Sequence, residues 1–337
     1  MDSITHIALG AVTGEAIAGK SLGKRAMFIG ALAQSIPDID FITAFWLPSS
    51  DNLLVHRGFT HSLLFGVLTT LLLAAGAEKL HRPLKVSYTK WALFFGIEIL
   101  LHLVLDVCNA YGVGWLEPFS HQRFSFNILF VADPFLSLSL GISLIVLMSI
   151  DSKSAWRRFW IAFGLVISSV YFLYAVFNKI TIVHETKVAL ERQHISYHRL
   201  LTTPTPLNSW LWYVVVEDSA GFHTAYRATA DDTNEAITFT YFPRQDELIH
   251  PFENLHDVQQ LKRFSQGYYT VEQSGDTLIF NDLRFGQIAG WEDPAAKFVF
   301  HYYVNYPEAN LLVIQRGRFS NWNRKTFRSM IDRIRGY

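Results

Sequence analysis

Apolar positions crowd the first 180 residues of the chain and thin out after them. Spanning a hydrocarbon core of about 30 Å takes roughly 20 mostly apolar helical residues, and four stretches reach or approach that length: 61–77, 91–108, 134–150 and 159–178. Two shorter apolar stretches, 4–19 and 26–37, are rich in Gly and Ala, residues that let helices approach closely in lipid. A buried core helix explains any one of them. Four long ones in near succession predict a membrane bundle.

After residue 179 the period changes. HETKVALERQHISYHRLL reads as a short polar helix, and TPTPLNS as a linker or turn. Beyond it WLWYVVVE, FHTAYRATA, AITFTYFP, GYYTVEQ, DTLIFND, KFVFHYYVNY and NLLVIQRG have the β-branched and aromatic content of strands. NRKTFRSMIDRIRGY reads as a basic amphipathic helix. The expected architecture is an α-helical membrane bundle, with four long spans and two short N-terminal helical segments, over 1–180. A linker with a short helix over 181–205 follows, then a soluble β-rich domain over 206–337.

Composition agrees with two units: the chain has 337 residues, half of them hydrophobic and 17% charged. A net charge of zero lacks the basic footprint of a nucleic-acid binder, so no nucleic acid is expected as partner. Cys108 is the sole cysteine, which leaves no intrachain disulfide and no thiolate metal site. The N-terminus lacks a positive n-region and carries Glu15 inside its apolar stretch, so it is expected as retained structure, not a signal peptide.

Charge placement turns the segments into a topology. If all six cross, one side receives Lys20, Lys24, Arg25, Lys79, Arg82, Lys85, Lys90, Lys153, Arg157 and Arg158, while the opposite loops, 38–60 and 109–133, hold Arg57 and Arg123. Under the positive-inside rule the basic side is cytoplasmic. The opposite loops and everything after 179 then face outward.

Four polar clusters interrupt the apolar half: Asp2 with His6, Asp38 with Asp40 after Pro37, His56 and His61 in HRGFTHS, and His102 with Asp106. The topology built from lysines and arginines puts all four on the outward side. In HRGFTHS, Gly58 permits a turn and Thr60 is placed to cap a helix. Imidazole and carboxylate suit zinc, manganese or iron, which makes His6, Asp38, Asp40, His56, His61, His102 and Asp106 the candidate metal ligands. Zinc is the first expectation. Asp40 is also a candidate general base, and Arg57 either holds a phosphate oxygen or anchors to lipid headgroups. Glu98, four residues before His102, either accepts the second ring N–H of a ligand histidine or is structural. Asp133 is a weaker candidate with an ordinary capping explanation.

MDSITH, GALAQSIPDID, HRGFTHS and HLVLD resemble the signatures of the bacterial membrane-bound metal-dependent hydrolases, the YdjM-like family, LexA-regulated in some members. The resemblance covers roughly residues 1–180 and implies a helical protein of the bacterial inner membrane with hydrolase activity. THIALG, a Pro-Asp turn and paired histidines are more distantly similar to zinc-dependent phospholipase C. Together they imply metal-activated water attacking an ester or phosphoester, with membrane lipid as a partner and a source of substrate. The rival is a metal transporter or a non-catalytic membrane scaffold.

Overall fold

The computed structural model describes residues 1–80, 86–304 and 322–336. The chain divides into two compact units, one of Met1–Trp46 and Val55–Tyr174, the other of Leu47–Leu54 and Ala175–Tyr337.

The first unit is helical. Helix α1 (Ser3–Leu22) begins at Asp2, whose carboxylate accepts the Thr5 amide at 3.0 Å, so Asp2 is a cap. Helix α2 (Arg25–Ser35) lies against α1 at very short range, and three glycines are the reason. A Cβ on Gly30 would come within 2.0 Å of the Gly10 carbonyl oxygen, and one on Gly14 within 2.4 Å of the Ala26 oxygen. Only bare backbone allows this approach. Pro37 ends the α geometry, and Pro37–Phe45 continues as a 3-10 helix bent by 55° from α2, as a broken span or a re-entrant segment.

Helix α3 (Ser49–Val55) and a 3-10 turn (Phe59–His61) lead to α4 (Leu63–Leu80). The cap of α4 is Ser62, whose hydroxyl accepts the Phe65 amide at 3.0 Å. The expected cap, Thr60, is engaged elsewhere. Helix α5 (Tyr88–Asp106) packs along α4, and α6 (Pro134–Ser149) packs on α1. Asp133 caps α6 and also accepts the Tyr171 hydroxyl at 2.8 Å, which accounts for it without a metal. Helices α4, α5 and α7 (Trp156–Arg192) are long and apolar enough to cross a membrane, and the bent pair makes a fourth candidate. Helix α6, expected as a long span, has 16 residues: Pro134 starts it after the Asp133 cap, and Ile150 turns extended at its end. Val67, Leu68, Leu71 and Leu72 of α4 are exposed, the pattern of a lipid-facing helix.

The stretch 181–205 holds no separate helix. Nothing in KITIVHETKVALER breaks α7, so it runs unbroken to Arg192, and β1 (Arg199–Pro204) follows. β1 pairs antiparallel with β2 (Leu211–Glu217), then β3 (Gly221–Ala228) and β4 (Thr240–Pro243) in the order β1-β2-β3-β4. Short α8 (Asp246–Ile249) and α9 (His256–Phe264) precede an antiparallel sheet of β5 (Tyr269–Ser274), β6 (Thr277–Gln287) and β7 (Phe298–Tyr303). Every residue of β2 is buried because both its faces are covered. Trp212, Val214 and Val216 pack with Ile182 and Leu190 of α7, while Tyr213 and Val215 pack with Leu283 and Phe298 of the second sheet. Amphipathic α10 (Arg324–Ile334) sets Met330 against Leu211 and Ala228. The expected strand NLLVIQRG lies outside the described residues.

Residues Leu47–Leu54 group with this second unit, and α9 holds them there. Ser50 donates to Asp257 at 2.5 Å, while His256 and Gln260 reach the Asp51 carboxylate at 2.6 and 3.0 Å. Tyr302 of β7 donates to the other Asp257 oxygen at 2.9 Å.

Two consequences are testable. Gly30→Ala forces α1 and α2 apart and lowers the thermal unfolding midpoint in detergent by the equivalent of about 1–3 kcal/mol, the usual size of an overpacking penalty. Asp257→Ala removes the acceptor of both Ser50 and Tyr302, and hydrogen–deuterium exchange in residues 49–55 becomes faster while that of β2 stays unchanged.

Candidate metal centre

The ends of α2, α4 and α5 meet the start of α1, so the separate polar clusters come together. Asp38 enters from the 3-10 segment after α2, His61 from the turn before α4, and His102 and Asp106 from the last turn of α5. Each offers one ligand atom, and these four atoms lie within 4.8 Å of one another. His61, His102 and Asp106 are buried completely, and the Asp38 side chain is 17% exposed.

Hydrogen bonds behind the rings decide which atoms face inward. The Nδ1 of His102 meets the Gln34 backbone oxygen at 2.5 Å. A carbonyl only accepts, so this nitrogen carries the proton and Nε2 of the neutral ring is bare. Thr60 donates its hydroxyl proton to Asp40 Oδ2 at 2.7 Å, so its oxygen accepts from His61 Nδ1 at 3.1 Å. The His61 Nε2 is bare for the same reason.

The two bare nitrogens stand 3.1 Å apart. His61 Nε2 is also 3.1 Å from Asp106 Oδ2 and 3.5 Å from Asp38 Oδ1, and His102 Nε2 is 3.7 Å from Asp38 Oδ1. Four electron-pair donors therefore face one point. With bonds of about 2.0–2.1 Å in a tetrahedron, a zinc ion keeps its ligand atoms about 3.3 Å apart, so the observed spacing fits a divalent cation. Asp106 Oδ2 has Arg57 Nε 3.1 Å away but outside hydrogen-bond geometry, so it keeps a lone pair that a cation would satisfy.

His6, Asp40 and His56, the other candidate ligands, stand beside the four-atom set. His6 stacks on His102 with ring centroids 3.8 Å apart, and its Nε2 lies 3.1 Å from Asp106 Oδ1. The N-terminal amine also contacts that oxygen. Asp40 is a brace: it accepts the Arg57 amide at 2.8 Å, the Thr60 hydroxyl at 2.7 Å and His56 Nδ1 at 2.9 Å. His56 is 35% exposed at its side chain. Burial pulls its pKa below the ordinary imidazole value, against the pull of Asp40.

Arg57 points inward. Its Nε lies 3.1 Å from Asp106 Oδ2, and its other nitrogens donate to Asn109 Oδ1 at 2.7 Å and the Met1 carbonyl at 3.2 Å. A buried guanidinium so placed anchors to no headgroup. The left-handed turn of HRGFTHS falls on Arg57, at φ 63°, while Gly58 has φ −86°. That conformation is unusual for a non-glycine residue, and it brings the Arg57 amide to Asp40.

Glu98 accepts from Thr13 at 2.8 Å and leaves the His102 ring to Gln34. Gln34, Thr60 and Asn109 were missed in the sequence. Gln34 alone had a signal, as the one polar residue inside the apolar run 26–34 after Arg25. Cys108 is buried, and its sulfur faces the Val104 carbonyl at 3.1 Å.

Apolar helices with a histidine–aspartate cluster that could hold a metal ion fit a membrane protein that is metal-dependent. The profile of the family described as YdjM inner membrane protein matches residues 1–181, and the chain belongs to that family. The inner membrane protein YbcI of Escherichia coli (strain K12) is 32% identical over 123 residues, 36% of this chain and 69% of that protein. The uncharacterized protein YfhP of Bacillus subtilis (strain 168) is 24% identical over 309 residues, 85% of this chain and 87% of that one. No solved structure matches the chain.

Asp40→Asn keeps the size of the brace and weakens its hold on His56, His61 and the Arg57 turn. Metal affinity, measured by competition with a chromogenic chelator, falls by about 10–100-fold, the usual cost of losing an outer partner of a ligand histidine.

Proposed function

We propose that the chain is a membrane-embedded metal-dependent hydrolase acting on an ester or phosphoester, with membrane lipid as the source of substrate. The observation that carries this reading is the pair of bare Nε2 atoms of His61 and His102, 3.1 Å apart and facing Asp38 and Asp106. These four residues would hold the ion, zinc by preference and manganese or iron by the same donor set. When bound there, a divalent ion supplies a Lewis acid that polarises an ester or phosphoryl oxygen and acidifies water.

The protein's own groups do the rest. The Gln34 carbonyl and the Thr60 hydroxyl keep the ligand rings in the tautomer that faces inward. The Arg57 guanidinium stands beside one oxygen of Asp106 and the N-terminal amine donates to the other. His56 is the group placed to move a proton. Asp40 takes its Nδ1 at 2.9 Å, which leaves Nε2 as the reactive nitrogen on a partly exposed ring. This gives Asp40 the orienting role and transfers the base from the carboxylate to His56.

Asp38 is the cluster member with an exposed edge, and its segment exposes Ile39, Phe41 and Phe45 to the surroundings. An amphiphile can reach the site across such a surface with its acyl part still in apolar contact. The count of lysines and arginines supports an extracytoplasmic position for the site and the second unit.

The purified protein is expected to bind a divalent ion and to cleave glycerophospholipid vesicles or p-nitrophenyl esters and phosphoesters, with loss of turnover on chelation. His56→Gln retains the metal and lowers kcat by about 10²–10⁴-fold, the range of general acid–base catalysis. His61→Ala with His102→Ala loses the metal. Full metal content without turnover on any of these substrates would show that the ligands hold an ion without chemistry, as the transporter or scaffold reading has it.

A further inference from the structure

Helix α10 carries apolar residues on two edges and buries one of them. Thr326 and Met330 turn into the second unit, where Met330 packs on Leu211 and Ala228. Phe327 and Ile331, one turn apart, lie along the neighbouring edge. Phe327 stays 46% exposed there.

The charges bordering that edge are of one sign. Arg324, Lys325, Arg328 and Arg335 are exposed. Among the described residues their one ion pair is Arg328 with Asp332 at 3.9 Å, and both of those side chains are open to solvent. Arg333 is turned inward and held by both oxygens of Asp231, so it takes no part. A face of arginines and lysine beside an exposed aromatic ring matches a surface that is anionic outside and apolar beneath, which is the surface of a phospholipid bilayer.

Position brings the helix to such a surface. Asn208 donates to Met330 Sδ at 3.9 Å, and the next residue, Ser209, accepts from Asn178 Nδ2 at 2.8 Å. Asn178 closes the apolar stretch 159–178 of α7, a helix apolar enough to cross a membrane. These two bonds tie α10 to the level where α7 leaves the hydrocarbon, which is the depth of the headgroups. Trp322, directly before α10, meets Trp291 edge to face with centroids 5.7 Å apart, and both pack beside Met330. Tryptophan is enriched at that depth of a membrane.

We propose that α10 is an interfacial helix that binds the anionic phospholipid surface of the membrane, with Arg324, Lys325 and Arg328 on the phosphates and Phe327 and Ile331 among the first acyl carbons. This docking uses none of the metal-site residues.

The test is hydrogen–deuterium exchange of residues 324–334 in the full chain, held in nanodiscs of phosphatidylcholine with or without about a third of phosphatidylglycerol. Exchange in this helix is expected to be several-fold slower in the anionic discs and to return toward the neutral-disc rate at high salt, which screens headgroup charge. The combined variant Arg324→Gln, Lys325→Gln, Arg328→Gln loses the slowing, since each cation is worth about fivefold in binding to an anionic surface. Asp332→Asn removes the opposing charge and increases it. Exchange in β2 is the control for folding and stays the same in every disc and variant. Equal exchange of 324–334 in the two kinds of disc overturns the proposal, as does slowing that survives in the combined variant. Slowing that appears in a neutral detergent and grows with protein concentration would assign the face to a second copy of the chain and overturns it too. If the combined variant does not fold, Asp332→Asn decides alone, because its side chain is open to solvent; unchanged protection in anionic discs then rejects the lipid surface.

Discussion

Four lone-pair donors aimed at one buried point are the constraint on which the first unit is organised. Two neutral imidazole nitrogens and two carboxylate oxygens cannot satisfy one another, because none carries a proton to share. Left so, the arrangement is repulsive, and it persists only where surrounding bonds over-determine each ring. Those supports are present: the Gln34 carbonyl behind His102, Thr60 behind His61, and the N-terminal amine and the Arg57 charge beside Asp106. The helical scaffold exists at this end to hold acceptors together that would otherwise separate, which is the arrangement a cation rewards.

That requirement reaches back into the helix packing. Gln34 can serve His102 and His6 because α2 runs within backbone contact of α1, and this closeness depends on Gly10, Gly14 and Gly30. A wider crossing would move His6 and Gln34 apart and loosen the support behind both rings. The small-residue composition of the two N-terminal stretches is therefore tied to the candidate metal site through Gln34.

Much of this was legible because lipid restricts the options. Apolar length located α4, α5 and α7, and counting lysines and arginines placed the four clusters on one side before any distance was known. The alternation of β2 was hidden because both its faces are buried, yet its aromatic and β-branched content still marked it as a strand. What the sequence concealed was division of labour. Asp38 and Asp40 are two residues apart and chemically identical, and the 3-10 turn after Pro37 sends one to the ligand rings and the other to the Arg57 amide, Thr60 and His56. Backbone acceptors carry no signature, so the Gln34 carbonyl could not be distinguished from Glu98 as the partner of His102. The end of α7 was misplaced because its apolar stretch stops near residue 178 while its helical geometry does not: Ile182 and Leu190 bury their side chains in the second unit.

The route from Asp40 to His56 shows why the brace matters more than chain proximity. Between them the chain leaves the first unit, and Leu47–Leu54 are held by Asp257, His256 and Gln260 of the second. Short-range connectivity therefore does not bring the His56 ring to Asp40. The contact is closed by local donors, with the left-handed turn at Arg57 directing its amide to one carboxylate oxygen and leaving the other for His56 Nδ1. A residue that pays strain in φ to donate a backbone hydrogen bond is best understood as part of the site's geometry. Its side chain then uses the same turn to reach Asp106, so one backbone conformation sets both the Asp40–His56 contact and the charge beside Asp106.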